Sequence, residues 1–548
     1  MALKQLFVIN NKVLIDSFVL SLICGLPYLF EHHTILSIVG VVGMAAVFAV
    51  ILSVLYNALK LLKLHAVLFW CIIVIMVFLA EADVFCIFNF GFIVNDDVLQ
   101  IIRTSSTSDV KGFISVYFSW EVVLTLISFL LLSFFTILYV HKNNLMKKTH
   151  TRPVKYLAIV GVLVCIYSLF SYLIFNDLKG IPETNPITRL LFSSLKNSNK
   201  DIEKLCDFNK NVIAECDIPK DKRPIFVIVL GESFSPYHSS LYGYDKDTNP
   251  LLKRRADNNE LIVYEDVISR YDVTWRVMNS IISTDSFGLD FFHKPLCPVL
   301  FRKAGYSTNF FSNQWLVGQS NFAITNRGLS NLMFDNRNDK LFKYDMDMVQ
   351  ECIANSIEHH NAFYLIHLMG QHYTYSDRYP PEFGVFKADD YSSKLLTKNQ
   401  KTTIADYDNA TLYNDYVIDE IIKIFEREDC ILFYFSDHGE EVYDLRNFAG
   451  HGSCSDTPDI SYQLKVPFIV WTSALFKENH SYVVEKLTRV SHYPFITEYV
   501  PMLLINIASI TTDSYSPYRC IISDDYVLDK PRITQHNINY DEVQRKGK

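Results

Sequence analysis

Cys430-Ile-Leu-Phe-Tyr-Phe-Ser-Asp437-His438-Gly-Glu440 is an apolar run that stops abruptly at an acid and an imidazole. Two other runs share this form. Pro224-Ile-Phe-Val-Ile-Val-Leu230 leads into Gly231-Glu232-Ser233, and Ala362-Phe-Tyr-Leu-Ile-His-Leu-Met369 leads into Gly370-Gln371-His372. Short continuous apolar runs predict strands buried on both faces, the mark of a parallel sheet. In open α/β sheets the active site lies at the carboxyl ends of the strands. Glu232, His372, Asp437 and His438 are therefore expected to converge, although roughly two hundred residues separate the first from the last. Mixed carboxylate and imidazole ligands suit zinc, with manganese as the lesser alternative.

The same alternation extends through residues 221–548. Further strand candidates are 261–267, 307–311 and 466–471, and residues 409–427 repeat apolar side chains at helical spacing. Strands alternating with helices predict an α/β domain with a mostly parallel sheet. The polar tail after residue 524 is expected to be loose.

Upstream the composition changes. Five apolar stretches, at about 13–30, 35–59, 64–88, 120–140 and 154–175, reach the roughly 20 residues a bilayer crossing takes. No small-residue cleavage site follows the first, so it is not read as a signal peptide. Five such segments in succession are hard to bury in a water-soluble core. They predict a five-helix transmembrane bundle over residues 1–177. Lys4, Lys12, Lys60, Lys63, Lys142, Lys147, Lys148 and Arg152 fall in alternate loops, which puts the N-terminus in the cytoplasm and everything after the fifth span outside it. Residues 178–220 form a linker with an amphipathic stretch at 187–205, suited to a membrane surface or to a plain connector. The net charge of −8 offers no basic footprint for nucleic acid. Of eleven cysteines, Cys206 and Cys216 are the expected disulfide, because they are close in sequence and lie in an oxidising compartment.

Glu232, Asp437 and His438 supply three ligands of a divalent site, which leaves a fourth position for water, substrate or nucleophile. Two hydroxyls compete for the nucleophile's role. Ser233 adjoins Glu232. Thr274, in Ser269-Arg-Tyr-Asp-Val-Thr274-Trp, sits where a helix should begin, and backbone N–H groups there suit a phosphate oxygen. Locally, Thr274 also reads as an ordinary helix cap. His238, His293, His359, His360, His367 and His480 read as ordinary core or surface histidines, and Glu440 and Glu441 as surface or supporting acids.

Several segments together resemble the membrane phosphoethanolamine transferases of Gram-negative bacteria, within the alkaline phosphatase/sulfatase superfamily. They are Gly231-Glu-Ser-Phe with Leu241-Tyr-Gly-Tyr-Asp-Lys-Asp-Thr-Asn-Pro250, Gly370-Gln-His372 with Arg378-Tyr-Pro-Pro-Glu-Phe383, Tyr407-Asp-Asn with Tyr413-Asn-Asp-Tyr416, and Ser436-Asp-His-Gly-Glu440 with His451-Gly452. The five apolar stretches match as well, so the resemblance covers most of the chain.

The resemblance implies roles at matching positions. Glu232, Asp437 and His438 correspond to zinc ligands, and Thr274 to the threonine that ligates zinc and becomes covalently modified. His372 and His451 correspond to histidines that handle the substrate phosphate. Phosphatidylethanolamine is the implied donor. The implied acceptor is lipopolysaccharide (lipid A or core) or another envelope glycan. The implied enzyme is a monomeric, multi-pass protein of the bacterial inner membrane with residues 221–548 in the periplasm. The setting of Thr274 departs from the Cys-Gly-Thr of the lipid A members. Asn313 and Gln314 stand where the family often has an Asp-Asn pair and a lysine, and are expected to touch substrate. Ser105 and Asp109, in the external loop, are the expected donor-headgroup contacts. A glycerol-phosphate transferase of the lipoteichoic acid synthase type is the alternative. A true sulfatase would need a Cys/Ser-x-Pro-x-Arg segment, which Cys297-Pro-Val-Leu-Phe-Arg302 does not supply. A non-catalytic receptor with a degenerate site predicts missing ligands, and none of the core types is missing.

Overall fold

The computed structural model describes residues 11–61, 65–90, 93–95, 98–99, 102, 117–143, 184–195, 198–285, 291–318, 323–356, 360–452 and 460–546. It divides into two compact units, Met1–Asn197 and Ser198–Lys548.

The first unit is helical because its sequence is dense in Leu, Ile, Val and Phe with little polar punctuation. Its elements are α1 (Asn11–Gly25), α2 (Ile35–Leu61), α3 (His65–Phe90), α4 (Trp120–Asn143) and α5 (Pro186–Leu195). Among the described residues, Val13–Phe30, Ser37–Tyr56 and Cys71–Asn89 are long and apolar enough to cross a membrane, and Trp120–Thr136 is a shorter apolar stretch. The expected fifth span at 154–175 lies outside the described residues, as do Ser105 and Asp109. One polar device stands out in this apolar unit. Asp83, 1% exposed, receives Arg189 of α5 at 2.6 Å and the Val94 amide at 3.0 Å. The amphipathic stretch at 187–205 is helical where it is described. Its first part is α5, tied to α3, and the helix Ser198–Lys210 belongs to the second unit.

The second unit is built on a seven-stranded sheet. Its strands are β1 (Ile225–Gly231), β2 (Leu261–Tyr264), β3 (Ser307–Ser312), β4 (Asn336–Arg337), β5 (Ala362–His367), β6 (Cys430–Ser436) and β7 (Phe468–Thr472), in the order β2-β7-β6-β1-β5-β3-β4. The run from β6 to β4 is parallel, whereas β7 is antiparallel to both of its neighbours. The sheet is thus mixed. β1 and β6 are buried at every position, because both faces of the sheet are covered by apolar clusters.

Helix α6 (Thr274–Ile282) begins at Thr274 itself. Helix α7 (Lys398–Phe425) starts well before residue 409, at a capping box in which Thr397 and Gln400 bond each other's backbone amides. The segment after residue 524 is not loose. Arg532, 8% exposed, grips Asp266 and Asp541, and Thr534 is fully buried. The Cys206–Cys216 disulfide is absent, since both thiols are free. Cys216 Sγ faces the Ala508 carbonyl at 3.2 Å, whereas Cys206 lies against Gly328. Nearness in sequence did not bring them together.

Candidate active site

The register of the sheet assembles the site. Gly231 pairs with Ser436 across β1 and β6, so Glu232 and Asp437 leave adjacent strands side by side. Leu230 pairs with His367, which brings the β5 loop and His372 to the same edge. The switch from strand to loop is sharp. Ser233 has a left-handed backbone (φ 54°), a conformation that costs a non-glycine residue energy and marks functional turns. Gly370 (φ 48°) crosses so close to Glu232 that an added Cβ would sit 2.9 Å from its backbone nitrogen. Buried Asp345 stabilises that crossing by accepting the Met369 and Gly370 amides at 2.8 and 2.9 Å. Gly439 is equally constrained, since a Cβ there would meet the Tyr462 carbonyl at 2.4 Å.

Glu232, Asp437 and His438 are completely buried, and their ligand atoms lie within 4.8 Å of one another. His438 Nε2 stands 3.2 Å from Asp437 Oδ2 and 3.5 Å from Glu232 Oε1. Thr274 Oγ stands 3.2 Å from Glu232 Oε2. Ligands held tetrahedrally at about 2.0–2.1 Å from zinc stand roughly 3.3–3.4 Å apart, so these spacings fit a common ion. Asp437 Oδ2 and His438 Nε2 have no hydrogen-bond partner, although buried polar atoms almost always have one. His438 Nδ1 donates to the Gly439 carbonyl at 2.8 Å, which fixes the tautomer with Nε2 free to bind a cation. The donor set and its orphaned atoms fit a divalent metal, and zinc best.

The remaining contacts hold the ligands in place. Ser233 Oγ donates to Glu232 Oε1 at 2.8 Å, and Gln314 Nε2 donates to Oε2 at 2.8 Å. Asp437 Oδ1 accepts the Ser233 and His438 amides at 3.0 and 2.7 Å. Burial pushes Asp437 up to about 7, aided by the charge of Glu232. Burial acts on Glu232 in the same direction, yet His438, His372 and Gln314 together hold it well below the usual range. A cation would relieve this crowding of buried charge.

His451 Nδ1 donates to Glu440 at 2.6 Å, and its ring centroid lies 3.9 Å from that of His438. Burial lowers its basicity, but Glu440, Glu232 and Asp272 outweigh burial and raise it to about 9. His438, Glu440 and His451 form a second group of ligand atoms close enough to share an ion. Glu440 and Glu441 are buried, contrary to a surface role: Tyr375 OH bonds Glu440, and Glu441 pairs with Arg446. His372 is held through its carbonyl, which accepts from Arg378 Nε at 3.0 Å. Arg378 thereby gives the Arg-Tyr-Pro-Pro segment a reason to follow the histidine.

Of the two hydroxyls, Ser233 is fully buried and committed to Glu232, whereas Thr274 is partly exposed at the head of α6. Asn313 is buried and committed to Asp345 and the Phe342 amide, and Gln314 reaches Glu232. Sequence reading missed Asp345 and the positioning role of Ser233. His238, read as an ordinary core or surface histidine, is buried between Asp408 at 2.7 Å and Asp444 at 3.3 Å. The only local signal for these was a polar residue inside an otherwise apolar neighbourhood.

The model of the sulfatase family matches residues 224–499, half of the chain and all of the strands that carry the ligands. The chain belongs to the sulfatase family. The phosphoethanolamine transferase EptC of Escherichia coli strain K12 is 27% identical over 369 residues, covering 63% of this chain and 59% of that protein. The chain thus spans about six tenths of that relative's length. The zinc complex of the periplasmic domain of E. coli EptC superposes with a TM-score of 0.53 at 23% identity, covering 61% of this chain and 96% of the domain. The integral membrane lipooligosaccharide phosphoethanolamine transferase A of Neisseria meningitidis covers 95% of this chain and 97% of its own, with a TM-score of 0.57 at 18% identity. These likenesses establish the fold. Cys297, in the segment that lacks the Cys/Ser-x-Pro-x-Arg pattern, opens a buried helix, and burial pushes its thiol well up.

Proposed function

We propose that this sulfatase-family protein transfers phosphoethanolamine from phosphatidylethanolamine to a lipopolysaccharide acceptor, lipid A or core, through a covalent intermediate on Thr274. The observation that carries the reading is the Thr274 hydroxyl, 3.2 Å from Glu232 in a buried Glu–Asp–His cluster with orphaned ligand atoms. The similarity to EptC and EptA supports the same reading.

Glu232, Asp437, His438 and Thr274 would hold zinc, with His372 and His451 beside them. Bound there, zinc neutralises phosphate charge and acidifies a hydroxyl. Phosphoryl transfer otherwise depends on positioning. The Thr274 oxygen forms a bond to phosphorus as the bond to the diacylglycerol oxygen breaks. The proton leaving Thr274 is matched by one delivered to that leaving oxygen. His451, whose Nδ1 donates to Glu440, would deliver it. His372 faces the phosphate oxygens. In the second half-reaction an acceptor phosphate or hydroxyl oxygen attacks phosphorus, and Thr274 recovers its proton. Residues 1–177 would cross the bacterial inner membrane five times, residues 178–220 would link the two parts, and residues 221–548 would work in the periplasm. That arrangement confines the enzyme to the plane of its lipid substrates.

Intact-protein mass spectrometry after incubation with phosphatidylethanolamine and zinc tests this reading. A phosphoethanolamine-sized increment on wild type and none on Thr274→Ala is the expected result. A glycerol-phosphate increment from phosphatidylglycerol instead would favour the lipoteichoic acid synthase type of chemistry.

A further inference from the structure

Asp272 is a buried carboxylate beside the nucleophile that the mechanism does not use. It is 1% exposed. Gln535 Nε2 donates to its Oδ1, while its Oδ2 is buried with no hydrogen-bond partner. Buried polar atoms in folded proteins almost always have a partner, so this oxygen is open to a donor from outside the chain.

Its position is set by the backbone. Val273 is extended (φ −134°, ψ 120°), so the side chains of Asp272 and Thr274 leave the chain on the same side, with their Cα atoms about 7 Å apart. The negative charge of Asp272 is felt by His451, whose ring abuts His438, so the carboxylate lies on the metal side of the loop. Among the described residues it belongs to neither group of ligand atoms close enough to share an ion.

The C-terminal segment holds it there. The Gln535 amide donates to the Arg270 carbonyl at 3.0 Å, and Arg270 Nη1 donates to the Ile533 carbonyl at 3.0 Å. This clamp spans the loop that precedes Thr274. It fixes one carboxylate oxygen of Asp272 and leaves the other for a donor.

We propose that Asp272 receives the ammonium of the transferred headgroup and so selects aminoethyl phosphodiesters over those with neutral head groups. This inference rests on the reading of Thr274 as nucleophile. Only two carbons separate the ammonium from the phosphate ester oxygen, so its counter-charge must lie close in space to the attacking hydroxyl, and Asp272 is the buried acid on the same side of the loop as Thr274. Gln535 is a positioning residue, because it acts through Asp272.

The test compares two p-nitrophenyl phosphodiesters, one aminoethyl and one ethyl, on the full zinc-loaded chain in detergent. Wild type should prefer the aminoethyl diester. Asp272→Asn should lower that preference, as the ratio of kcat/KM values, by about tenfold to a hundredfold, the range of a lost charge-assisted hydrogen bond. The loss should fall mainly in KM. An unchanged ratio, with both diesters slowed equally, would overturn the selective role and leave Asp272 as scaffolding. Gln535→Ala carries the same test should the asparagine variant fail to fold. It should reduce the preference by a smaller factor, and an unchanged ratio there overturns the inference. Failure of the transferase reading shows up separately. It appears as wild type that neither cleaves a diester nor forms an adduct on Thr274, and the inference falls with it.

Discussion

Two clusters of histidine and carboxylate lie buried in the second unit, and they are built to opposite ends. In the first, His438 Nε2 stands 3.2 Å from Asp437 and 3.5 Å from Glu232, and Asp437 Oδ2 and His438 Nε2 make no hydrogen bond. In the second, His238 bonds Asp408 at 2.7 Å, and Tyr244 and Tyr391 close on the other oxygen of Asp408 at 2.9 and 2.5 Å. The second cluster supplies its own cation, an imidazolium whose pKa is raised to about 10, since Asp408 and Asp444 outweigh its burial. The first tilts its imidazole so that a lone pair faces the acids, and so holds a place for a cation from outside. Both rings leave Nε2 without a hydrogen bond, so the difference lies at Nδ1, which faces a carboxylate in His238 and a backbone carbonyl in His438.

Variants can break this contrast. The largest effect is expected at Asp437. Asp437→Asn should cost on the order of a thousandfold in transfer activity, since metal charge stabilisation is worth several kcal/mol. Zinc per protein by elemental analysis should fall with it, and circular dichroism should stay unchanged. Full zinc occupancy with full activity would contradict the ligand assignment.

Asp408→Asn should do the reverse. Leaving His238 buried without its main partner should cost about 3 kcal/mol or more of stability, seen in chemical denaturation. Zinc content of the folded fraction should not change. Lost zinc with unchanged stability would mean that the two clusters have been assigned the wrong way round.

Ser233→Ala is the finer probe of the first cluster. It removes the 2.8 Å bond that orients Glu232, and metal affinity should fall about tenfold to a hundredfold in competition with a chelator. Covalent labelling of Thr274 at saturating zinc should survive. Loss of labelling at every zinc concentration would reopen Ser233 as nucleophile.

The smallest effect is in pH. His238 is raised in the folded state, so its ion pair contributes fully below the unfolded value of about 6.5 and is lost as pH climbs through about 10. The Tm gap between wild type and His238→Gln should therefore narrow steadily from pH 6.5 to 10. A gap that widened over that range would show that His238 is neutral in the folded protein.

Much of the first cluster was legible in the chain. Glu232, Asp437 and His438 each follow a continuous apolar run, and a strand buried on both faces must end where its apolar residues end. The run at 261–267 was read too long, because β2 stops at Tyr264 and Val267–Ile268 forms a separate strand. The start of α7 was missed because its first turns are polar and hold only through the Thr397 capping box. The second cluster was not legible. His238 and Asp408 are 170 residues apart, and nothing local distinguishes a buried paired histidine from an exposed one.

The sequence by itself determined the strands, the apolar helices and the identity of the acids and histidines at the strand ends. Those follow from local periodicity and solvent exclusion, which act over a few residues at a time. Only the tertiary structure decided the rest: the 3.2 Å approach of Thr274 to Glu232, the burial of Glu440 and the clamp of Gln535 on a loop 263 residues away. It also decided that Cys206 and Cys216 remain apart. Such contacts depend on strand order and register, and no short stretch of chain encodes either.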